Sequence, residues 1–252
     1  MSPKTLRIGV MLEQVQLSDI MGIDIFGNIS QSYLDDVIAL NPDKFSGLKD
    51  HALDVQFYYI SSDLEPTTTT PPQSKNFPGS GGKSSGTSFG GFKFIPNTTY
   101  DTCPRDLDIL LIGGPLPTHR PVAADKFLKE AWGKTRVVMT TCIGSMWLAS
   151  TGLLKGKKCT TNKEFLGAAR GIHPEIEWVW QRWVVDEKNF EGKGKGELWT
   201  AGGAGCGIDM IAKYCLDNYD AEFVNLMALE GLEMNPGGRA SQFYASEEPV
   251  SM

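Results

Sequence analysis

No stretch of the sequence reaches the ~18 consecutive apolar residues of a membrane-spanning helix, so no membrane partner is expected. After the basic residues Lys4 and Arg7, the apolar run Ile8–Leu12 is too short for a secretory core and meets Glu13 at once. A cytoplasmic setting is therefore expected. Cysteine is scarce and odd in number, at positions 103, 142, 159, 206 and 215, with no C-x-x-C pair. That argues against a disulfide framework or a zinc site, and no metal is expected. Basic charge is also lacking: 24 Lys and Arg against 30 Asp and Glu leave a net charge of −6, without the basic excess of a nucleic-acid binder. No helix-turn-helix extension and no internal repeat is visible.

Apolar residues make up 41% of the 252, enough for one large α/β core without assuming a second domain. Continuous apolar runs at Leu6–Leu12, Leu53–Ile60, Leu107–Ile112 and Arg136–Thr141 read as buried strands. Shorter strands are expected at Lys158–Thr161, Arg182–Asp186 and Glu197–Thr200. Helical spacing marks Asp19–Leu40, Ala124–Trp132, Gly207–Tyr219 and Ala221–Glu233. Strands alternating with helices predict a mainly parallel sheet with helices on both faces. One domain is expected over residues 1–244, with a flexible tail at 245–252. The Thr-, Pro-, Ser- and Gly-rich residues 61–91 read as an excursion, either an unstructured insertion or a flap over the site.

The segment Arg136-Val-Val-Met-Thr-Thr-Cys142-Ile-Gly144 carries the chemistry. A buried strand ends at Thr141, Cys142 stands on the turn, and a helix follows. This is a nucleophile elbow with cysteine in the serine position. Gly144 allows close approach of the backbone. A helix N-terminus favours a thiolate, so a depressed Cys142 pKa is expected. Leu111-Ile112-Gly113-Gly114-Pro115 is a second strand ending in a tight turn at the same sheet edge. Amides at Gly114 and Ile143 would form an oxyanion hole. Asp19, after the first strand, is either a general acid or base beside the cysteine or a helix N-cap. Cys206 follows a glycine-rich turn and would line the site, whereas Cys159 and Cys215 read as core.

These residues resemble a known family. Thr141-Cys142-Ile143-Gly144-Ser145, then Ala149-Ser150-Thr151-Gly152-Leu153-Leu154-Lys155-Gly156 and Thr160-Thr161, are similar to the DJ-1/PfpI superfamily pattern. So is Trp199-Thr200-Ala201-Gly202-Gly203-Ala204-Gly205-Cys206-Gly207-Ile208-Asp209-Met210. Leu17-Ser18-Asp19-Ile20-Met21-Gly22 resembles the isocyanide-hydratase-like branch. The resemblance implies a flavodoxin-like three-layer sandwich of the class I glutamine amidotransferase type, a homodimer without cofactor, and a small-molecule substrate. It carries the nucleophile to Cys142, its acidic partner to Asp19 and the oxyanion amides to the turns at Gly114 and Ile143. The sequence departs from many relatives where histidine is usual: Ile143 follows the cysteine and Asn162 follows Thr161. Pro115, His119, Asn162, Gly205 and Cys206 are the expected pocket residues, although His119 also reads as a surface loop histidine. The implied activity is cofactor-independent addition of water to, or cleavage of, a small electrophile, as in isocyanide hydration by a lyase. Glyoxalase or deglycase chemistry on α-oxoaldehydes, or a non-catalytic redox sensor, are the alternatives.

Overall fold

The computed structural model describes residues 5–68, 93–234, 241–244 and 247. Its centre is β1 (Leu6–Met11), paired in parallel with β2 (Val55–Ser61) on one side. A short β3 (Thr98–Thr99) extends the sheet beyond β2. On the other side stand β4 (Ile109–Ile112) and β5 (Val137–Thr140), both parallel to β1. Then come β6 (Trp183–Lys188) and β7 (Gly196–Ala201). The sheet order is β6-β7-β5-β4-β1-β2-β3, and β6 is the antiparallel edge.

Period-2 alternation distributes the strand side chains between two cores. Ile8, Val10, Ile109, Leu111, Val137 and Met139 face one layer; Met11, Leu110, Ile112 and Val138 face the other. The first layer holds α1 (Leu17–Ile20), α2 (Ile23–Asn28) and α3 (Gln31–Leu40). The second holds α4 (Val122–Ala131), α5 (Gly144–Ser150) and α6 (Leu166–Ile172). The last two helices, α7 (Ala204–Asn218) and α8 (Ala221–Val224), complete the first layer. This is the flavodoxin-like sandwich, with strands buried on both faces as their apolar runs require.

Several expectations need correction. The stretch 19–40, whose glycines at 22 and 27 interrupt the helical spacing, is three helices that break at Gly22 as expected and at Ile29–Ser30 rather than at Gly27. Lys158–Cys159 pairs with Glu177–Trp178 outside the main sheet, because Thr160 and Thr161 turn away to bond side chain to backbone. The helix from Ala221 becomes π-helical at Asn225–Leu229. Helices α6 and the strand β3 lacked a clear apolar pattern and were not anticipated. Ser61 is no part of an excursion: it is 1% exposed, ends β2, and its carbonyl accepts from Tyr100 N. Thr67–Thr68 pairs antiparallel with Lys93–Phe94. Residues 69–91 of the excursion, and the tail 245–252 apart from Glu247, lie outside the described residues.

Candidate active site

Four strands of the sheet deliver loops to one edge. β1 leads to Asp19, β4 to Gly113-Gly114, β5 to Cys142, and β7 to Gly202-Gly203. The chain order reverses between β1 and β4, and such a switch point opens a crevice at the carboxyl ends of the strands. An antiparallel bridge between Val15 and the buried Pro115 ties the exits of β1 and β4 together there.

Cys142 holds φ +54°, a left-handed conformation that costs a non-glycine residue about 1–2 kcal/mol. Tertiary bonds maintain it. Its amide donates to Gly202 O at 2.5 Å, and its carbonyl accepts from Thr161 Oγ1 at 3.1 Å. Gly144 is needed for proximity: a Cβ there would lie 2.4 Å from Ile112 O and 2.7 Å from Gly113 O. Gly207 does the same for α7, since its Cβ would meet Thr141 Cγ2 at 2.3 Å.

Asp19 is 2% exposed and sits inside the single turn of α1 without capping it. The N-cap reading is therefore overturned. Its carboxylate reaches across the crevice, where Oδ2 accepts from Gly114 N at 3.0 Å, and its carbonyl accepts from Thr141 Oγ1 at 2.7 Å. Burial drives the Asp19 pKa up to about 6, against the lowering effects of the Gly114 amide and of the neighbouring Cys142 thiol. The expected oxyanion pair changes accordingly. Gly114 N–H is committed to Asp19, while Ile143 N–H is directed at the Cys142 sulfur.

The sulfur is not a resting thiolate. Burial, and then the Asp19 charge, raise Cys142 to about 11, outweighing hydrogen bonds from Asn162 and Ile143 N–H. The short α5 does not reverse this. At neutral pH the pair holds its proton on sulfur, with a carboxylate beside it. Asn162 Nδ2 stands 3.4 Å from Cys142 Sγ. Its Oδ1 accepts from Glu164 N at 3.1 Å.

His119 Nε2 lies 3.5 Å from Glu13 Oε2, and its ring meets Trp147 edge-on at 5.8 Å; none of its described contacts is with Cys142 or Asp19. Glu13 falls to about 2: bonds from His119, Ser62 and Tyr100 outweigh the opposing effect of burial. Gly205 is exposed with open space around it, and Cys206 lies one residue further along α7. Tyr244 was not anticipated. Its ring lies 4.9 Å from Trp180, and a Cβ on Gly202 would meet its hydroxyl at 2.6 Å. Arg182 Nη1 donates to Ser241 O, and Arg182 N to Gln242 O, holding residues 241–244 against this wall. The signal for it was faint, since these residues follow a Pro-Gly-Gly break. Among the described residues there is no metal-binding group of three or more His, Cys, Asp or Glu, and no helix is long and apolar enough to cross a membrane.

A model of the DJ-1/PfpI family matches residues 60–213, and the chain belongs to that family. It is 28% identical over 189 residues to an isonitrile hydratase of Pseudomonas putida, spanning 73% of this chain and 68% of the relative. Among solved structures, a ThiJ/PfpI family protein from Pseudomonas syringae superposes with a TM-score of 0.65 at 19% identity, covering 93% of this chain and 77% of the other. Drosophila melanogaster DJ-1beta gives 0.59 at 13% identity, with coverages of 92% and 100%. These structural likenesses speak for the fold.

Proposed function

We propose that the protein is a cysteine-dependent hydratase that converts a small isonitrile and water to an N-substituted formamide. The observation that carries this reading is the buried Asp19 carboxylate beside a protonated Cys142 thiol. Nucleophile and base stand together, and the base is ionised at neutral pH. The name of the Pseudomonas putida relative supplies the substrate class.

Asp19 takes the thiol proton as sulfur bonds to the terminal isonitrile carbon, and returns that proton to the same carbon. The product is a thioimidate, R–N=CH–S–Cys142. Water then adds to that carbon while Asp19 passes one of its protons to nitrogen. The resulting R–NH–CH(OH)–S–Cys142 loses its hydroxyl proton to Asp19 as the C–S bond breaks, and the departing sulfur recovers that proton. Isonitrile plus water gives formamide, and thiol and carboxylate are restored. The sequence of steps needs no oxidant or reductant. Ile143 N–H supports the sulfur each time it carries charge.

α-Oxoaldehyde chemistry is less favoured, because the one histidine near this edge, His119, is engaged by Glu13 and Trp147. The test is formamide formation from an alkyl isonitrile by purified protein, beside methylglyoxal and a Cys142→Ala variant. Formamide release that needs Cys142 supports the reading; turnover of methylglyoxal alone overturns it. A homodimer in the cytoplasm is part of the same reading, checked by light scattering and by localisation of a tagged chain.

A further inference from the structure

We propose that Asn162 is a catalytic residue: its side-chain amide is the neutral donor that stabilises the Cys142 sulfur as it becomes anionic. The inference rests on Cys142 being the nucleophile, as in the reading above, but not on the identity of the substrate.

An asparagine amide has an accepting end and a donating end, and which one faces a neighbour depends on its other partner. Here that partner is a backbone N–H. Glu164 N donates to Asn162 Oδ1, capping the 3-10 turn at Lys163–Phe165. A flipped amide would set NH₂ against that N–H and lose the bond. The cap therefore obliges Nδ2 to face the other way, where it lies 3.4 Å from Cys142 Sγ. Both anchors of this strip are local to the elbow. Thr161 Oγ1 donates to Cys142 O, and Thr160 N donates to Thr200 Oγ1 on β7. The donor is held before any substrate arrives, which is the condition for electrostatic stabilisation without reorganisation.

The second reason is what is missing from the usual arrangement. The Gly114 amide is occupied by Asp19. Around the sulfur itself, the donors are Ile143 N–H and Asn162 Nδ2, and each favours the anion. Asn162 is also half-buried, so solvent screens the contact only in part. The residue thus joins two roles, a cap that fixes the geometry and a donor that uses it.

The roles separate by mutation. Serine caps a helix as well as asparagine does but lacks a donor with that reach, so Asn162→Ser keeps the cap and removes the contact. Asn162→Ala removes both. The measurement is the rate of iodoacetamide alkylation at the Cys142 peptide against pH, by mass spectrometry, beside a thermal melt. Both variants are expected to alkylate Cys142 about three- to tenfold more slowly at pH 8, while only the Ala variant melts lower. Steady-state turnover of the isonitrile should fall about tenfold or more at little change in KM. An unchanged alkylation profile in Asn162→Ser overturns the proposal. If parent protein hydrates no isonitrile while the Ser variant still shifts the profile, the donor role stands and the hydratase reading falls.

Discussion

The amide of Gly114 donates to Oδ2 of Asp19 at 3.0 Å, joining two turns that are 95 residues apart in the chain. The bond anchors a buried carboxylate against the edge of the sheet, where the Cys142 thiol is its second hydrogen-bonding neighbour. On the proposed reading, a carboxylate held this way accepts the thiol proton of its neighbour Cys142.

Asp19→Asn should separate nucleophile reactivity from turnover. The Asp19 charge raises the Cys142 pKa, so its removal lowers that pKa. Alkylation of Cys142 at pH 8 should therefore become faster than in the parent. Hydration should nevertheless fall by about 10²–10⁴, because the proton carrier is gone. Peptide-resolved alkylation and steady-state kinetics on one preparation check both halves; slower alkylation would contradict the assigned electrostatics.

The same variant should be more stable than the parent at neutral pH. The folded Asp19 pKa, about 6, lies above its ordinary 3.8. The native state then binds more protons than the unfolded chain between those values, so this group's contribution is full below pH 4 and lost as pH rises through 6. A two-unit shift corresponds to about 3 kcal/mol. Denaturant melts at pH 4 and pH 7 should show the loss in the parent and not in Asp19→Asn.

Parent kcat/KM should rise with pH along a limb near 6, as Asp19 becomes the carboxylate that accepts the thiol proton. A limb near 6 that persists unchanged in Asp19→Asn would assign the base to another group.

Cys142→Gly should melt higher than Cys142→Ala. Both lose the sulfur, but φ +54° is strained for alanine and free for glycine, a difference of about 1 kcal/mol. Equal melts would mean that the elbow relaxes when the thiol is removed. Gly144→Ala should do far worse than either, since its Cβ would sit 2.4 Å from the backbone oxygen of Ile112 and push the elbow off β4.

Replacing residues 70–90 with a short Gly/Ser linker should leave the melting temperature within a few degrees. Thr67–Thr68 and Lys93–Phe94 pair across its ends, and halving a loop changes closure entropy by only about 0.6 kcal/mol. The cut must spare Ser62, whose hydroxyl donates to Glu13 at 2.9 Å. A retained melt with lost turnover would mark the segment as a flap.

Continuous apolar runs announced β1, β4 and β5, because a strand buried on both faces has no polar register to hide in. The elbow was equally legible: Thr141-Cys142-Ile143-Gly144 combines a strand end, a cysteine on the turn and a residue without Cβ. The short pieces were not. Thr98–Thr99 and Lys158–Cys159 are two residues long, and which partner each finds depends on chain far away in sequence.

Residue type and order alone were enough to place a cysteine on a strand-to-helix turn in a parallel α/β sandwich, with an acid and a glycine pair at the same edge. They could not assign protonation or direction. A helix N-terminus predicts a thiolate, but burial of the sulfur, and then the carboxylate that comes to rest beside it, raise the Cys142 pKa and keep the proton on sulfur. Gly114 reads as an oxyanion amide until Asp19 folds onto it. Asn162 reads as a lost histidine until Glu164 N turns its amide toward the sulfur. These outcomes are set by contacts that bring residues 20 to 95 positions apart together, by the local turn that orients Asn162 and by the low dielectric they enclose, and those exist only once the chain has folded.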